Sequence, residues 1–493
     1  MTHSTTLDSG PRSGGVPYVG GIAADPNLYN EDLAPVPMDK RTWTGYSIFA
    51  MWMSDVHSVG GYTFAASLFL FGLTGWQVLL SMAIGIMIVY FLMNLIGRPS
   101  IREGIPFPVV ARISLGVMGA NLAAMVRGVV GIVWYGVQTY FASKAVATII
   151  LLFIPSAAAL ANGSFMGLDG LGWVSFLFMW FCQLMIFQRG METIRKFIDF
   201  CGPAVYVVMF VLMGWILYHA GFGSLNLTLG NEVLSGGAQF GHMVNAVLLV
   251  VSYFAALLLN FGDFSRFGKS ERQMKVGNFL GLPVNFLLFA IVVVIVTAGS
   301  VSVFGEMLMD PVEIVSRIDN KVAVFIGSVT FIIATMGINI VANFVSPAYD
   351  FANLFPKYVD FKRGGLITSI LAVLVCPWIF VDSPHAITVF VSVFGAILAP
   401  LYGVMVADYY LVKREVVNTP ELYTMDASGR YHYDGGWNHV GLKSLAISGV
   451  IAIGWELSTQ LFHILPENNL GWVIGAVAGA VSYTTLMRRA NRT

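Results

Sequence analysis

Ser54-Asp55-Val56-His57-Ser58-Val59-Gly60-Gly61 lies in the middle of an otherwise apolar stretch near residues 45–71. A helix needs about 20 mostly apolar residues to cross the hydrocarbon core of a bilayer, so the stretch is long enough. A plain anchor would be apolar throughout. Here two ionisable side chains, two serines and a glycine pair interrupt it. Backbone that leaves the helix at membrane depth is tolerated only where protein buries it or where it lines a cavity. The stretch predicts a broken first span, of the kind that flanks a midplane binding site in secondary transporters.

Composition agrees. Of 493 residues, 57% are hydrophobic and 11% charged, where an ordinary soluble domain is about a quarter charged. Too few polar residues remain to cover a soluble surface, which excludes a soluble enzyme. The 27 basic residues balance the 27 acidic ones, so there is no basic excess for nucleic acid. The high hydrophobicity excludes disorder. Cys182, Cys201 and Cys376 have no metal-ligand spacing and are too few for a disulfide scaffold. There is no phosphate loop or nucleophile elbow, and Gly104 and Gly116 lack a strand–turn–helix context. The chain is therefore expected to be neither an enzyme nor a cofactor protein.

The fold class that follows is an all-α polytopic membrane protein with twelve transmembrane helices. Apolar stretches lie near 45–71, 76–97, 119–150, 171–187, 200–221, 240–262, 276–301, 322–345, 366–381, 385–411, 440–462 and 469–487. Residues 1–42 are polar and form an N-terminal cytoplasmic tail, mobile over 1–30, with no signal peptide. Residues 413–439 form a cytoplasmic loop and 488–493 a cytoplasmic C-terminus. With the N-terminus inside, 23 of the 27 basic residues fall in inner segments. Only Arg317 and Lys321 fall outside, while Arg127 and Lys144 lie within the third span. This bias places both termini in the cytoplasm of a cell whose plasma membrane the chain crosses.

Four stretches carry a family resemblance. They are Gly104–Arg112 with Gly116 and Gly119, Trp134–Gln138, Asn260–Arg266 and Asn339–Tyr349, supported by Asp408-Tyr409-Tyr410 and Gly435–Asn438. Together they make the chain resemble the nucleobase–cation symport-1 family over residues ~30–490. The resemblance implies a LeuT-type fold with alternating access. It makes residues 43–221 and 236–412 two five-helix inverted repeats, with 440–487 as two additional helices. The break of the sixth span, which ends in Asn260-Phe261-Gly262-Asp263, is less visible than that of the first.

A planar, amide-rich ring calls for aromatic faces and a few polar groups at its edge. Trp134 and Gln138 stand i, i+4 and share one helix face, which suits stacking and edge recognition. Core packing and an interhelical hydrogen bond would account for them equally. The resemblance makes Trp134 the stacking ring and Gln138 its amide partner. It sets Phe254 where many members carry a second stacking Trp, a departure that favours a smaller substrate. Tyr253 stands beside it, and either ring suits the site. Asn339 and Asn343 are again i, i+4 in an apolar helix, where amides are costly unless partnered. The resemblance assigns the substrate contact to Asn343 and leaves Asn339 structural. Ser54 and His57 add groups from the first span.

Asp55 and His57 are the titratable pair in the break. One reading is proton coupling; the other is a helix cap and a backbone hydrogen bond. Sodium-coupled relatives use span 8 hydroxyls, for which this chain has Gly337 and Ile338, near Ala334; Ser54 and His57 hold the span 1 positions. The sodium site at Ser54, His57, Ala334, Gly337 and Ile338 is thus degenerate, and no metal is expected. Of the other charges, Arg127 snorkels or pairs with an acid, Asp263 and Arg266 form an inner gate or fold lock, and Glu456 lies outside the transport core.

The expected function is symport of a small nucleobase-like ring, with H+ as the coupling ion in preference to Na+. Uracil or a related pyrimidine comes first, and allantoin or a hydantoin next. The symporter would act as a monomer in the lipid bilayer. A membrane-embedded enzyme would need a clustered acid–base set, and a passive channel a continuous pore.

Overall fold

A computed structural model describes residues 17–221, 227, 236–381 and 383–490. Arg12 and Arg492, counted above as inner charges, lie outside the described residues.

The chain enters through a short hairpin, β1 (Tyr18–Val19) against β2 (Ile22–Ala23). This is a correction to the expected mobile tail: from Pro17 onward the segment is packed. Leu28 and Leu33 are buried, and side chains from distant elements satisfy the backbone around them. Arg112 donates to the Leu28 carbonyl at 2.9 Å, the Tyr423 hydroxyl to the Leu33 carbonyl at 2.7 Å, and Arg266 to the Asp32 carbonyl at 3.0 Å. Two apolar anchors with paired backbone are enough to hold a polar segment down.

The first expected span holds α1 (Gly45–Val56) and α2 (Val59–Ser67). Between them Ser58 is extended, with ψ 160°, and its hydroxyl caps α2 by accepting the Gly61 N–H at 2.7 Å. There follow α3 (Gly75–Glu103), α4 (Phe107–Leu115), α5 (Ala120–Phe153), α6 (Gly170–Phe187) and α7 (Met191–Ala220). The 34 residues of α5 make a helix of about 51 Å, longer than the ~30 Å hydrocarbon core. The sixth expected span is α8 (Gly236–Tyr253), α9 (Ala255–Asn260) and α10 (Gly262–Ser265), bent by 40° after Tyr253. Its break therefore falls at Phe254, about two turns earlier than the Asn260-Phe261-Gly262-Asp263 run suggests.

Next come α11 (Glu271–Phe279) and α12 (Asn285–Phe304), joined by a π-helical turn at Leu280–Val284. Pro283 lies inside that turn, and its missing N–H removes one α-helical bond. After α13 (Pro311–Ser316), a second π-helical turn at Asn339–Val345 joins α14 (Lys321–Ile338) to α15 (Ser346–Leu354). The chain closes with α16 (Phe361–Leu374), α17 (Pro384–Ala407), α18 (His439–Glu456) and α19 (Gly471–Ala490).

Eight of these helices, counting α11–α12 and α14–α15 as continuous, are long and apolar enough to cross a membrane, or nine with the bent pair. The other expected spans correspond to the broken α1–α2, the 14-residue α16 and the 20-residue α19. At the centre, α5 packs against α6, α14 and α15, and α1 against α7 and α11, while α17 packs against α8, α18 and α19. The loop expected over 413–439 lies on α4, with Asn438 donating to the Ser114 carbonyl at 2.7 Å.

Candidate functional site

Both helix breaks and the second π-helical turn face the middle of α5. There Trp134, Gln138, Tyr253, Ala256, Leu257, Ile338, Ala342 and Asn343 enclose a cavity of about 20 Å³. That is room for about one water. Four of the expected residues, Trp134, Gln138, Tyr253 and Asn343, are brought together.

Trp134 meets Tyr253 edge-on at 5.7 Å and 85°, and Phe390 of α17 at 4.7 Å. Tyr253 stacks on Phe64 of α2 at 4.3 Å and 18°. Of the two neighbouring rings that suited the site, Tyr253 lines the cavity and Phe254 does not. Phe254 is fully buried and packs edge-on against Trp52 at 6.5 Å and Phe286 at 5.6 Å. Phe254 is itself the bend residue, at φ −84° and ψ 2°, so Tyr253 and Phe254 point to different sides and Tyr253 walls the cavity.

Gln138 donates to the Ser58 hydroxyl at 3.4 Å, and its Oε1 has no hydrogen-bond partner. Gly60 explains how the α2 backbone comes so close: a Cβ there would lie 2.9 Å from Gln138 Oε1. Gly61 has the same role against backbone, since its Cβ would lie 2.7 Å from the Val56 carbonyl oxygen. The glycine pair singled out in the sequence is thus a close-approach surface.

Asn339 spends its amide on structure. Its Nδ2 lies 2.9 Å from the Tyr135 carbonyl, 3.0 Å from the Thr139 hydroxyl and 2.7 Å from Gln183 Oε1. Its Oδ1 accepts from Asn343 at 3.1 Å. Asn343, 5% exposed, is the member of the pair that reaches the cavity. Thr335, one turn before Asn339, accepts the Val59 N–H at 3.0 Å and so holds the start of α2. Thr335, Thr139 and Gln183 were not found by sequence reasoning. The available signal was hydroxyls and an amide within otherwise apolar helices.

Ser54, Asp55 and His57 do not line the cavity. The Ser54 hydroxyl donates to the Ile198 carbonyl at 3.3 Å. His57 turns toward α7 and α12: its Nδ1 bonds the Met53 carbonyl, and its ring lies edge-on to Tyr206 at 4.1 Å and Phe289 at 5.2 Å. Asp55 is 1% exposed and neither carboxylate oxygen has a hydrogen-bond partner. At the degenerate sodium position, a Cβ on Gly337 would sit 3.8 Å from Ser54 Oγ; the two face each other, and Ser54 brings the one side-chain oxygen of that pair.

On the Arg127 side of the cavity, the π-helical turn leaves the Ala342 carbonyl to take two side-chain donors. Arg127, fully buried, approaches it at 3.0 Å and Asn260 at 2.9 Å. Asp263 accepts the first N–H of α4, from Phe107, at 2.9 Å. Arg266 lies over the rings of Phe267 and Tyr349 at 4.7 and 4.6 Å.

The family model for permeases for cytosine/purines, uracil, thiamine and allantoin matches residues 35–475. The allantoin permease of Bacillus subtilis is 33% identical over 94% of this chain and 93% of its own. The purine-uracil permease NCS1 of Arabidopsis thaliana is 32% identical over 87% of this chain and 71% of its own. Among solved structures, that of Mhp1, a nucleobase-cation-symport-1 family transporter, in a closed conformation with bromovinylhydantoin bound, superposes with a TM-score of 0.77. It is 22% identical and covers 94% of this chain and 96% of that chain.

Proposed function

Because the chain belongs to the family of permeases for cytosine/purines, uracil, thiamine and allantoin, and is thus a multi-pass membrane transporter and not an enzyme, we propose that it imports a small, uncharged, amide-rich ring of the uracil and allantoin class by alternating access. The observation that carries this reading is the meeting of Trp134, Tyr253, Gln138 and Asn343 around one small cavity. Two aromatic walls offer faces to a ring. The free Oε1 of Gln138 accepts a ring N–H, and the Asn343 amide reads the opposite edge. At about 20 Å³ the walls must part to admit even one ring, and Tyr253, at the α8–α9 bend, is placed to part them. Phe254, read as favouring a smaller substrate, does not line the cavity. The 33% and 32% identities to an allantoin permease and a purine-uracil permease keep both rings in the reading.

The same proposal holds twelve spans in two inverted five-helix repeats, both termini in the cytoplasm, the plasma membrane as location and a monomer as the working unit. The two breaks, α1–α2 and α8–α9, support the repeat. Coupling is to protons: Asp55 is buried at the first break without a partner, and an ionisable group at membrane depth is a candidate for proton transfer. The Gly337 and Ile338 positions supply no hydroxyl for sodium.

The test is a thermal-shift screen of the purified protein against uracil, thymine, cytosine, hypoxanthine, allantoin and hydantoins. A ring that binds the folded state raises its apparent melting temperature. Trp134→Ala should abolish the shift; an unchanged shift sinks the stacking proposal. Uptake into proteoliposomes that rose steeply with a sodium gradient at fixed pH would overturn the coupling assignment.

A further inference from the structure

Glu456, the last residue of α18, is 1% exposed and stands apart from the ring cavity. Its Oε1 accepts the backbone N–H of Gly471, the first residue of α19, at 2.8 Å. Only glycine fits there, since a Cβ would lie 2.3 Å from that oxygen. Its Oε2 lies 2.9 Å from the Ser392 hydroxyl on α17, and the same hydroxyl lies 3.0 Å from Asn469 Oδ1.

Backbone carbonyls fix which amide atoms are oxygens. Asn469 Nδ2 donates to the Asn245 carbonyl at 3.2 Å. Gln460 Nε2 donates to the Asn468 carbonyl at 2.8 Å and lies 3.3 Å from Asn469 Oδ1. Flipping either amide would set oxygen against oxygen. Asn469 therefore presents an acceptor to Ser392, and Glu456 presents another. A serine hydroxyl has one hydrogen, so it can serve only one of them. One added proton, on Glu456 Oε2, closes the chain: Glu456 donates to Ser392, and Ser392 donates to Asn469. Among the described residues no Lys, Arg or His pairs with Glu456. An uncompensated carboxylate among apolar helices is costly.

We propose that Glu456 is a proton-binding site that fastens α17 to α18 and α19. Ser392 stands two residues after Phe390, the ring that covers Trp134, so the proton bears on the helix that borders the cavity. Loss of the proton gives the Ser392 hydrogen to the carboxylate and takes it from Asn469, which keeps Gln460 and the Asn245 carbonyl. Among the described residues, none of the titratable groups on the elements packed here forms a hydrogen bond or ion pair with Glu456. His385 is exposed at the start of α17, and His242 lies on α8. His463 and Glu467 pair with each other at the surface, 3.5 Å apart. Asp408 at the end of α17 bonds Tyr483 of α19 at 2.7 Å, and Lys443, Arg488 and Arg489 lie toward that same end.

The site does not depend on which ring is carried, so it is read on the purified full chain without substrate. Infrared difference spectra at neutral pH compare wild type with Glu456→Gln. The expected result is loss of one carbonyl band of a protonated carboxylic acid, a band that moves down in D2O. Loss of a carboxylate band instead overturns the proposal. Should that variant fail to fold, Ser392→Ala is the second arm. It removes the acceptor, so the protonated-carboxyl band should move to higher frequency; an unmoved band overturns the proposal.

Discussion

Gly60→Ala tests how the broken first span meets the cavity. The added Cβ would lie 2.9 Å from Gln138 Oε1, 3.0 Å from its Nε2 and 3.1 Å from its Cδ. Ordinary contact begins near 3.5 Å, so the amide must retreat by about 0.5 Å. A side-chain end can do so, and overpacking of this kind costs about 1 kcal/mol, at the low end of its range. The consequence for binding is larger in proportion. The Gln138–Ser58 hydrogen bond already stands at 3.4 Å and would pass out of range, and Oε1 would leave its place in the cavity wall. Loss of one neutral hydrogen bond to the ring is worth about 1 kcal/mol, or roughly five- to tenfold in affinity. The assay pairs melting temperature with binding of whichever ring stabilises the wild type most. Gly61→Ala is the control: its Cβ would meet the Val56 backbone oxygen at 2.7 Å, which cannot swing away, so this variant should lose stability outright. A Gly60→Ala protein that bound its ring at wild-type strength would refute the assignment of Gln138 to the substrate.

Two further outcomes follow from the same contacts. Asn339→Ala should lower the melting temperature more than Asn343→Ala, because it strips the donor from Gln183 Oε1, at about 1–3 kcal/mol for a buried acceptor left unpaired, and leaves the Tyr135 carbonyl to the Thr139 hydroxyl alone among side chains; Asn343→Ala should mainly weaken ring binding. Equal stability losses in differential scanning fluorimetry would contradict this division. Arg112→Met removes buried donors to Leu422, Leu28 and Asn353 at 2.8, 2.9 and 2.6 Å, and should speed proteolytic cutting within residues 17–42; an unchanged cleavage rate would mean that other contacts hold that segment.

Much of the fold is legible in the sequence because a bilayer forces apolar length onto every span. The polar run Ser54–Gly61 announced its break for the same reason: nothing apolar explains it. The break at Phe254 left no such mark, since Ser252, Tyr253 and Phe254 read as ordinary span. Ser252 and Phe254 are buried against neighbours, and only the bend turns Tyr253 toward Trp134. Residues 17–42 look like a tail because their composition is polar. What pins them is a set of partners far along the chain, Arg112 and Tyr423 among them, which no local pattern encodes.

At the candidate site, i, i+4 spacing alone paired Trp134 with Gln138 and Asn339 with Asn343, because one turn of helix places such residues on one face. Spacing could not assign the duties within a pair. Thr139 and Gln183 reach Asn339 from α5 and α6 and so make it the structural member. Likewise the sequence by itself made Glu456 a single acid in an apolar helix. Its proton is decided by two backbone carbonyls, Asn245 and Asn468, that orient the amides around it. Periodicity and apolar length are properties of a chain and can be read along it. Hydrogen-bond valence is a property of a site, and it is settled only when distant segments fold together.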